Sequence, residues 1–284
     1  MEGKYYSSER SVQMLISLLK QHDIKKCVLS PGTTNLTLVA SLQHDPYFEL
    51  YSSVDERSAA YIACGMAAES GEPVVLSCTG ATASRNYLPG LTEAYYRKLP
   101  VLAVTSTQGI NRIGHYFAQV IDRRSTQNDV VLLSEYIPAT RDSNTEWSNT
   151  IKINRALLEL RHRGGGPVHL NLETEYSRDY SVRELPKVRV IRRVCIGDAF
   201  PEIPEGRVAV FIGSHRRFTE EETDVLDTFC GTYDAVVFGD HTSGYKGKYQ
   251  VNIALSTSQD KDICAVVDVD LLIHIGEVSG GYIG

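Results

Sequence analysis

The stretch YSSVDERSAAYIACGMAAESGEPVVLSCTGATASRN, Tyr51–Asn86, decides how the chain folds. It reads as strand, acidic turn, small-residue helix, strand and glycine turn. The β-branched and aromatic run ends at Val54, and Asp55-Glu56-Arg57-Ser58 then opens a helix, where acidic side chains favour the positive end of the dipole. Ala59, Ala60, Ala63 and Ala67 keep that helix thin enough to press on a neighbour, while Ile62, Cys64 and Met66 supply bulk. Gly71 stops it. Pro73–Cys78 (PVVLSC) is continuously apolar, as strands of a buried parallel sheet are. Glu56 therefore falls where a strand ends at the carboxyl edge of a sheet, the edge at which such sheets take ligands.

Outward from this stretch the same alternation continues. Residues 7–22 predict an amphipathic helix with Val12, Leu15, Ile16 and Leu19 on one face. Lys25–Ser30 is a strand, and Pro31-Gly32-Thr33-Thr34-Asn35 turns it into a helix carrying Leu36, Leu38, Val39 and Leu42. A helix over Leu88–Lys98 and an apolar strand over Pro100–Thr105 follow. Strands and helices at this spacing make an α/β fold with a doubly wound, mostly parallel sheet. From Ser106 to Val130 the pattern loosens into a polar loop, long enough to suggest function. A helix near 146–163 and a strand over Pro167–Leu172 close a first domain, 1–175. The charged, irregular segment 176–193 reads as a linker. Residues 194–284 begin a second, Rossmann-like domain, with strands at Arg207–Ile212, Ala235–Phe238 and Leu271–Gly276. That domain stops on a glycine turn straight after a strand, with one face of its sheet still to be covered, so it reads as truncated: a fragment or one half of a split enzyme.

Composition narrows the function classes. A net charge of −6 with scattered basic residues argues against nucleic acid as a partner, and no apolar run reaches the length of a membrane span. The six cysteines (27, 64, 78, 195, 230, 264) sit singly in or beside apolar segments, with no metal-like spacing to the histidines. Reduced, buried thiols in a cytoplasmic protein follow, and no metal site.

Several residues could carry chemistry, each with a plainer reading beside it. Glu56 could be simply a helix-start acid paired with Arg57. Thr33, Thr34 and Asn35 could offer backbone NH groups to a carboxylate or merely cap the helix. Thr79-Gly80-Ala81 removes side-chain bulk so that backbone can approach a flat ring, or is only a tight turn. Asn86 and Arg85 cap that turn or face a partner domain, and Gln119 and His115 read as solvated loop residues.

Four places resemble the pyrimidine-binding domain of thiamin-diphosphate enzymes, the family of acetolactate synthase and pyruvate decarboxylase, and within it the succinyl-enolpyruvyl-cyclohexene carboxylate synthase branch. They are the turn Ser30-Pro31-Gly32, the triplet Asp55-Glu56-Arg57, Thr79-Gly80 with the downstream Asn86, and the strand Gly166–Asn171. The resemblance implies that the chain is the N-terminal part of a thiamin-diphosphate-dependent 2-oxo-acid decarboxylase or carboligase. Glu56 would be the catalytic carboxylate, hydrogen-bonding the cofactor's aminopyrimidine and favouring its imino tautomer. Its surroundings of Val54, Ala59 and Ala60 would raise its pKa enough to share a proton. Pro31, Gly32, Thr79, Gly80 and Asn86 would bind the cofactor, and Thr33, Thr34 and Gln119 a small 2-oxo acid.

The resemblance also implies a homo-oligomer, at least a dimer, because each site is shared between protomers. Three departures temper it. The branch's substrate-holding arginines are replaced by Thr34 and, approximately, Gln108, with Arg112 or Arg123 as stand-ins, and the turn from Thr79 to Asn86 is about one residue longer than the family's usual spacing. The family's Gly-Asp-Gly…Asn motif for Mg2+ and diphosphate is missing; Gly239-Asp240-His241 matches it only superficially. The chain should then be inactive without that domain, supplied in a full-length chain or by a separate subunit. The alternative is a non-catalytic regulatory or scaffolding subunit of the same fold. A nucleotide-binding role for the second domain ranks below both, since Gly213-Ser214-His215-Arg216 is a poor phosphate cradle.

Overall fold

The computed structural model describes residues 5–123, 125–252 and 269–277. They divide into two units, Met1–Arg193 and Val194–Gly284. In the first, six strands form one parallel sheet in the order β2-β1-β3-β4-β6-β5: β1 Lys26–Leu29, β2 Glu49–Ser52, β3 Val74–Cys78, β4 Val101–Thr107, β5 Leu133–Ile137 and β6 Val168–Glu173. The α/β, doubly wound expectation holds. β3 and β4 are buried along their whole length, which explains their unbroken apolar sequences.

Helices cover both faces of this sheet. On one, α1 Arg10–Gln21, α2 Leu36–His44 and α6 Ser143–Glu159 pack with Leu29, Val75, Val104 and Leu170. On the other, α3 Glu56–Ser70 and α5 Leu88–Arg97 pack with Val28, Leu76 and Ala103. The thin helix does press on its neighbour. A Cβ on Gly90 of α5 would come within 2.5 Å of the Ala60 Cβ of α3, so only glycine tolerates that crossing. Asp55 caps α3 by accepting from the Ser58 amide at 2.7 Å, and Gly71 ends it with φ +68°.

Two features differ from the sequence expectation. β5 lies between the loop read as ending at Val130 and the helix read near 146–163, where the sequence predicted no element; it pairs with β6 along one edge only, and its mixed burial gives LSEYI no clean alternation. Residues 176–193 lie against the first unit instead of spanning a gap. Tyr6 bridges Val182, the Ser17 hydroxyl donates to the Pro186 carbonyl, and Asn154 donates to the Arg189 carbonyl and accepts from the Ile191 amide. Buried Val188 anchors this strap to the core.

The second unit has a parallel sheet ordered β10-β7-β8-β9: β7 Val208–Ile212, β8 Val236–Gly239, β9 Gln250–Asn252 and β10 Leu271–Ile275. Helix α7, Glu220–Tyr233, packs over it through Leu226 and Cys230. The strand β9 is an addition to the three expected. Cys264 and the terminal glycine turn lie outside the described residues. No helix among the described residues is long and apolar enough to cross a membrane.

Candidate active site

In the order β2-β1-β3-β4 the chain reverses direction between β1 and β3, and the turns leaving those two strands meet at the carboxyl edge of the sheet. They are locked together. The Ser30 amide donates to the Ser77 carbonyl at 2.8 Å. Asn35, fully buried, donates to the Ser30 carbonyl and the Ser77 hydroxyl and accepts from the Gly32 amide at 2.8 Å. A Cβ on Gly32 would lie 2.2 Å from the Thr79 methyl, so this turn needs glycine for close approach. The Thr34 hydroxyl accepts from the Gly80 amide and donates to the Ser106 carbonyl, welding three turns into one floor.

One strand further out, the Ser30 hydroxyl donates to the Ser53 carbonyl at 2.7 Å and fixes the turn from β2 into α3. Glu56 is the first residue of α3, half-buried, and has no hydrogen-bond or ion-pair partner among the described residues. Its charge reaches Cys78 and Tyr87, behind the Thr79-Gly80 turn. Burial pushes the Cys78 thiol up to about 12, with Glu56 adding to the shift. Tyr87 is raised well above 10, by burial first and then by Cys78 and Glu56.

The expected residues divide by what the structure does with them. Gly32, Thr79 and Gly80 come together at the switch point, with exposed Pro31 on its rim and Glu56 on the neighbouring strand's turn. Thr34 is buried and its hydroxyl is committed to the floor, so it acts through backbone structure; Thr33 is exposed. Asn86 ends a short helix, Thr82–Asn86, and its amide points back to the Thr82 carbonyl. Gln119 is exposed with φ +61°; only its carbonyl approaches Gly80. Val54, expected as an apolar wall for Glu56, is 94% exposed, because it follows an edge strand with no further strand outside it among the described residues. Asp240 receives the Thr242 amide and hydroxyl in a closed turn, and among the described residues no cluster of acidic, His or Cys side chains could hold a metal.

Sequence reasoning named Arg123 only as a stand-in and did not single out His169, yet Arg123 lies at this edge and His169 stands below it, level with Ala103 of β4. Arg123 is buried beside Gly80. His169, on β6, has Nε2 2.7 Å from the Thr105 hydroxyl and Nδ1 2.8 Å from the Ser134 hydroxyl. Burial, with Arg123 nearby, lowers it to about 3, so it is neutral. A histidine inside an apolar strand gives no sequence signal beyond its position.

The fold and this edge define a parallel α/β domain with a ligand floor at its switch point and a free carboxylate above it. Residues 10–127 match the family described as thiamine pyrophosphate enzyme, N-terminal TPP binding domain. Over that stretch the chain is similar to the thiamin-diphosphate enzymes. It is 36% identical over 189 residues to 2-succinyl-5-enolpyruvyl-6-hydroxy-3-cyclohexene-1-carboxylate synthase of Bacteroides thetaiotaomicron, which is 66% of this chain and 34% of that protein. It is likewise 36% identical over 168 residues to the synthase of the same name from Porphyromonas gingivalis, 59% of this chain and 29% of the relative. The chain thus spans about a third of the length of the curated relatives it matches. A solved structure assigned to the thiamin diphosphate-dependent enzymes, from Mycobacterium smegmatis, shares the fold. Its TM-score is 0.55 at 17% identity, over 98% of this chain and 56% of that one.

Proposed function

We propose that this chain supplies the pyrimidine side of the active site in a thiamin-diphosphate-dependent 2-oxo-acid decarboxylase or carboligase, with Glu56 as the activating carboxylate. One observation carries the reading: Glu56 stands without a hydrogen-bond or ion-pair partner among the described residues at the carboxyl edge, one strand from the Gly32–Thr79–Gly80 floor. The residues fit the cofactor's pyrimidine. Bulk is removed where a flat ring would approach, and an unpaired carboxylate is ready to accept a ring hydrogen bond. When bound, thiamin diphosphate supplies the carbanion chemistry.

The chain's own part is to position and to hold a proton. Asp55 takes the helix-capping role, which leaves the adjacent Glu56 free of it. Asn35 and Thr34 keep the floor rigid from below. The diphosphate and its Mg2+ are assigned to another domain, in the same protein or in a partner subunit.

Exposed Tyr51, Val54, Tyr61 and Ile62 on β2 and α3 surround the Glu56 segment with apolar surface. A second copy or subunit covering this face would take Glu56 out of water. The relatives' names point to a synthase of succinyl-enolpyruvyl acids; with Thr34 and Gln108 at the expected arginine positions, a smaller 2-oxo acid such as pyruvate suits this chain better.

The test is exchange of the cofactor's acidic thiazolium proton in the assembled enzyme, followed by NMR after deuterium quench. Glu56→Gln should bind thiamin diphosphate and slow that exchange by about two to four orders of magnitude. Exchange at the wild-type rate would leave the scaffolding reading standing.

A further inference from the structure

Arg123 follows the loop after β4 and is 5% exposed. Its Nε, Nη1 and Nη2 all lack a hydrogen-bond partner among the described residues. The Tyr87 hydroxyl, fully buried, sits beside Cys78 and Ser30 without a close hydrogen bond. Both side chains line a cavity of about 30 Å3, together with Ser84, Arg85, Thr105 and His169. No acidic residue lines it, and a second arginine does. His169 offers no counter-charge, since both its ring nitrogens are engaged and it is neutral. A guanidinium removed from water with no paired charge is among the costlier arrangements in a protein interior, and it persists where an anion completes it.

Size and shape restrict that anion. The space equals about two water molecules, enough for a carboxylate group and too little for a phosphoryl group with its three oxygens. A planar guanidinium fork matches the two oxygens of a carboxylate, and the Tyr87 hydroxyl can donate a further hydrogen bond. Gly80 of the candidate floor lies against Arg123: a Cβ there would come 3.2 Å from its Nη2.

We infer that the Arg123–Tyr87 cavity is a binding pocket for the carboxylate of a small monocarboxylic acid. The carboxylate has two sources: the 2-oxo acid itself, which rests on the function proposed above, or a free monocarboxylate ion bound independently of catalysis.

Thermal unfolding of the full chain in sodium pyruvate and in sodium acetate, at ionic strength fixed with sodium sulfate, tests the pocket. Equilibrium dialysis of labelled acid gives the affinity directly. Saturable stabilisation by pyruvate with none by acetate assigns the pocket to the 2-oxo acid; equal responses assign it to monocarboxylates at large. Arg123→Met should abolish saturable binding, and Tyr87→Phe, which only removes a hydroxyl, should weaken it by about tenfold. Absence of saturable binding to the wild-type chain overturns the inference, and so does binding that is unchanged in a folded Arg123→Met or Tyr87→Phe chain. None of these measurements needs thiamin diphosphate, so they fail or succeed apart from the Glu56→Gln exchange experiment.

Discussion

The two units share one construction plan and use its carboxyl edge in opposite ways. Both hold parallel strands, with glycine turns at Gly32 and Gly80 in the first and at Gly213 and Gly239 in the second. In the second unit those turns are closed by their own chain. The Ser214 amide donates to the Glu277 carbonyl at 2.7 Å, Ser243 donates to the Ile212 carbonyl and accepts from the Asp240 amide, and Arg216 pairs with Glu222. In the first unit the floor is equally well bonded, but the charged groups on it, Glu56 and Arg123, are left without partners among the described residues. A self-satisfied edge is finished as structure. An edge that leaves a carboxylate and a buried guanidinium unpaired is prepared for something else, and this is the physical ground for placing function in the first unit.

The hardest test of this contrast is Glu56→Gln. In the complete enzyme, turnover should fall by about 10^2- to 10^4-fold in steady-state assays, with the melting temperature of the chain almost unchanged, since the side chain bonds nothing among the described residues. A large loss of stability with normal turnover would make Glu56 a structural acid and erase the difference between the units.

Glycine substitutions sharpen the same comparison. A Cβ at Gly213 would lie 2.0 Å from the Glu277 carbonyl oxygen, which is backbone and cannot step aside; Gly213→Ala should cost about 3 kcal/mol in denaturant unfolding of that unit. At Gly32 the obstacle is the Thr79 methyl, which can rotate. Gly32→Ala should therefore cost about 1 kcal/mol while reshaping the floor, so that cofactor affinity falls more than stability does. Equal stability losses at the two sites would show that both edges are merely packed.

How far the sequence anticipated this molecule follows from where its signals are local. The cap Asp55, the stop Gly71 and the buried strands β3 and β4 are written in a few adjacent residues, and all were legible. β5 was not, because an edge strand with Ser134 and Glu135 between its apolar residues shows neither a run nor an alternation. The strap 176–193 reads as linker from its charge, and only the tertiary structure shows Val182 and Val188 turned onto the first unit. Glu56 was singled out through its triplet. The isolation of Arg123 arises from three-dimensional packing that a loop sequence does not encode.

His169 provides a pH test of how the first unit's interior handles charge. Its ordinary value is 6.5 and burial lowers it to about 3. Below pH 6.5 the unfolded chain takes up a proton that the native chain refuses until about pH 3, so stability falls as pH drops through this window. At pH 5 the loss from this group is about 2 kcal/mol. His169→Gln should be less stable at pH 7 and show a flatter decline, measured by urea unfolding between pH 7 and 4. A variant that declines as steeply as the wild type would place the acid sensitivity elsewhere.

The smallest effect belongs to the second unit. Thr219 caps α7 by accepting from the Glu222 amide, while the Glu222 carboxylate accepts from the Thr219 amide, a reciprocal box that satisfies two helix-end donors. Thr219→Ala removes one half of it and should lower the stability of this unit by about 1 kcal/mol. Nothing at the first unit's floor depends on that cap, so turnover of the complete enzyme and cofactor affinity should stay at wild-type values. If turnover fell along with the cap, the self-satisfied unit would be coupled to catalysis, and the division of labour between a finished edge and an unfinished one would have to be redrawn.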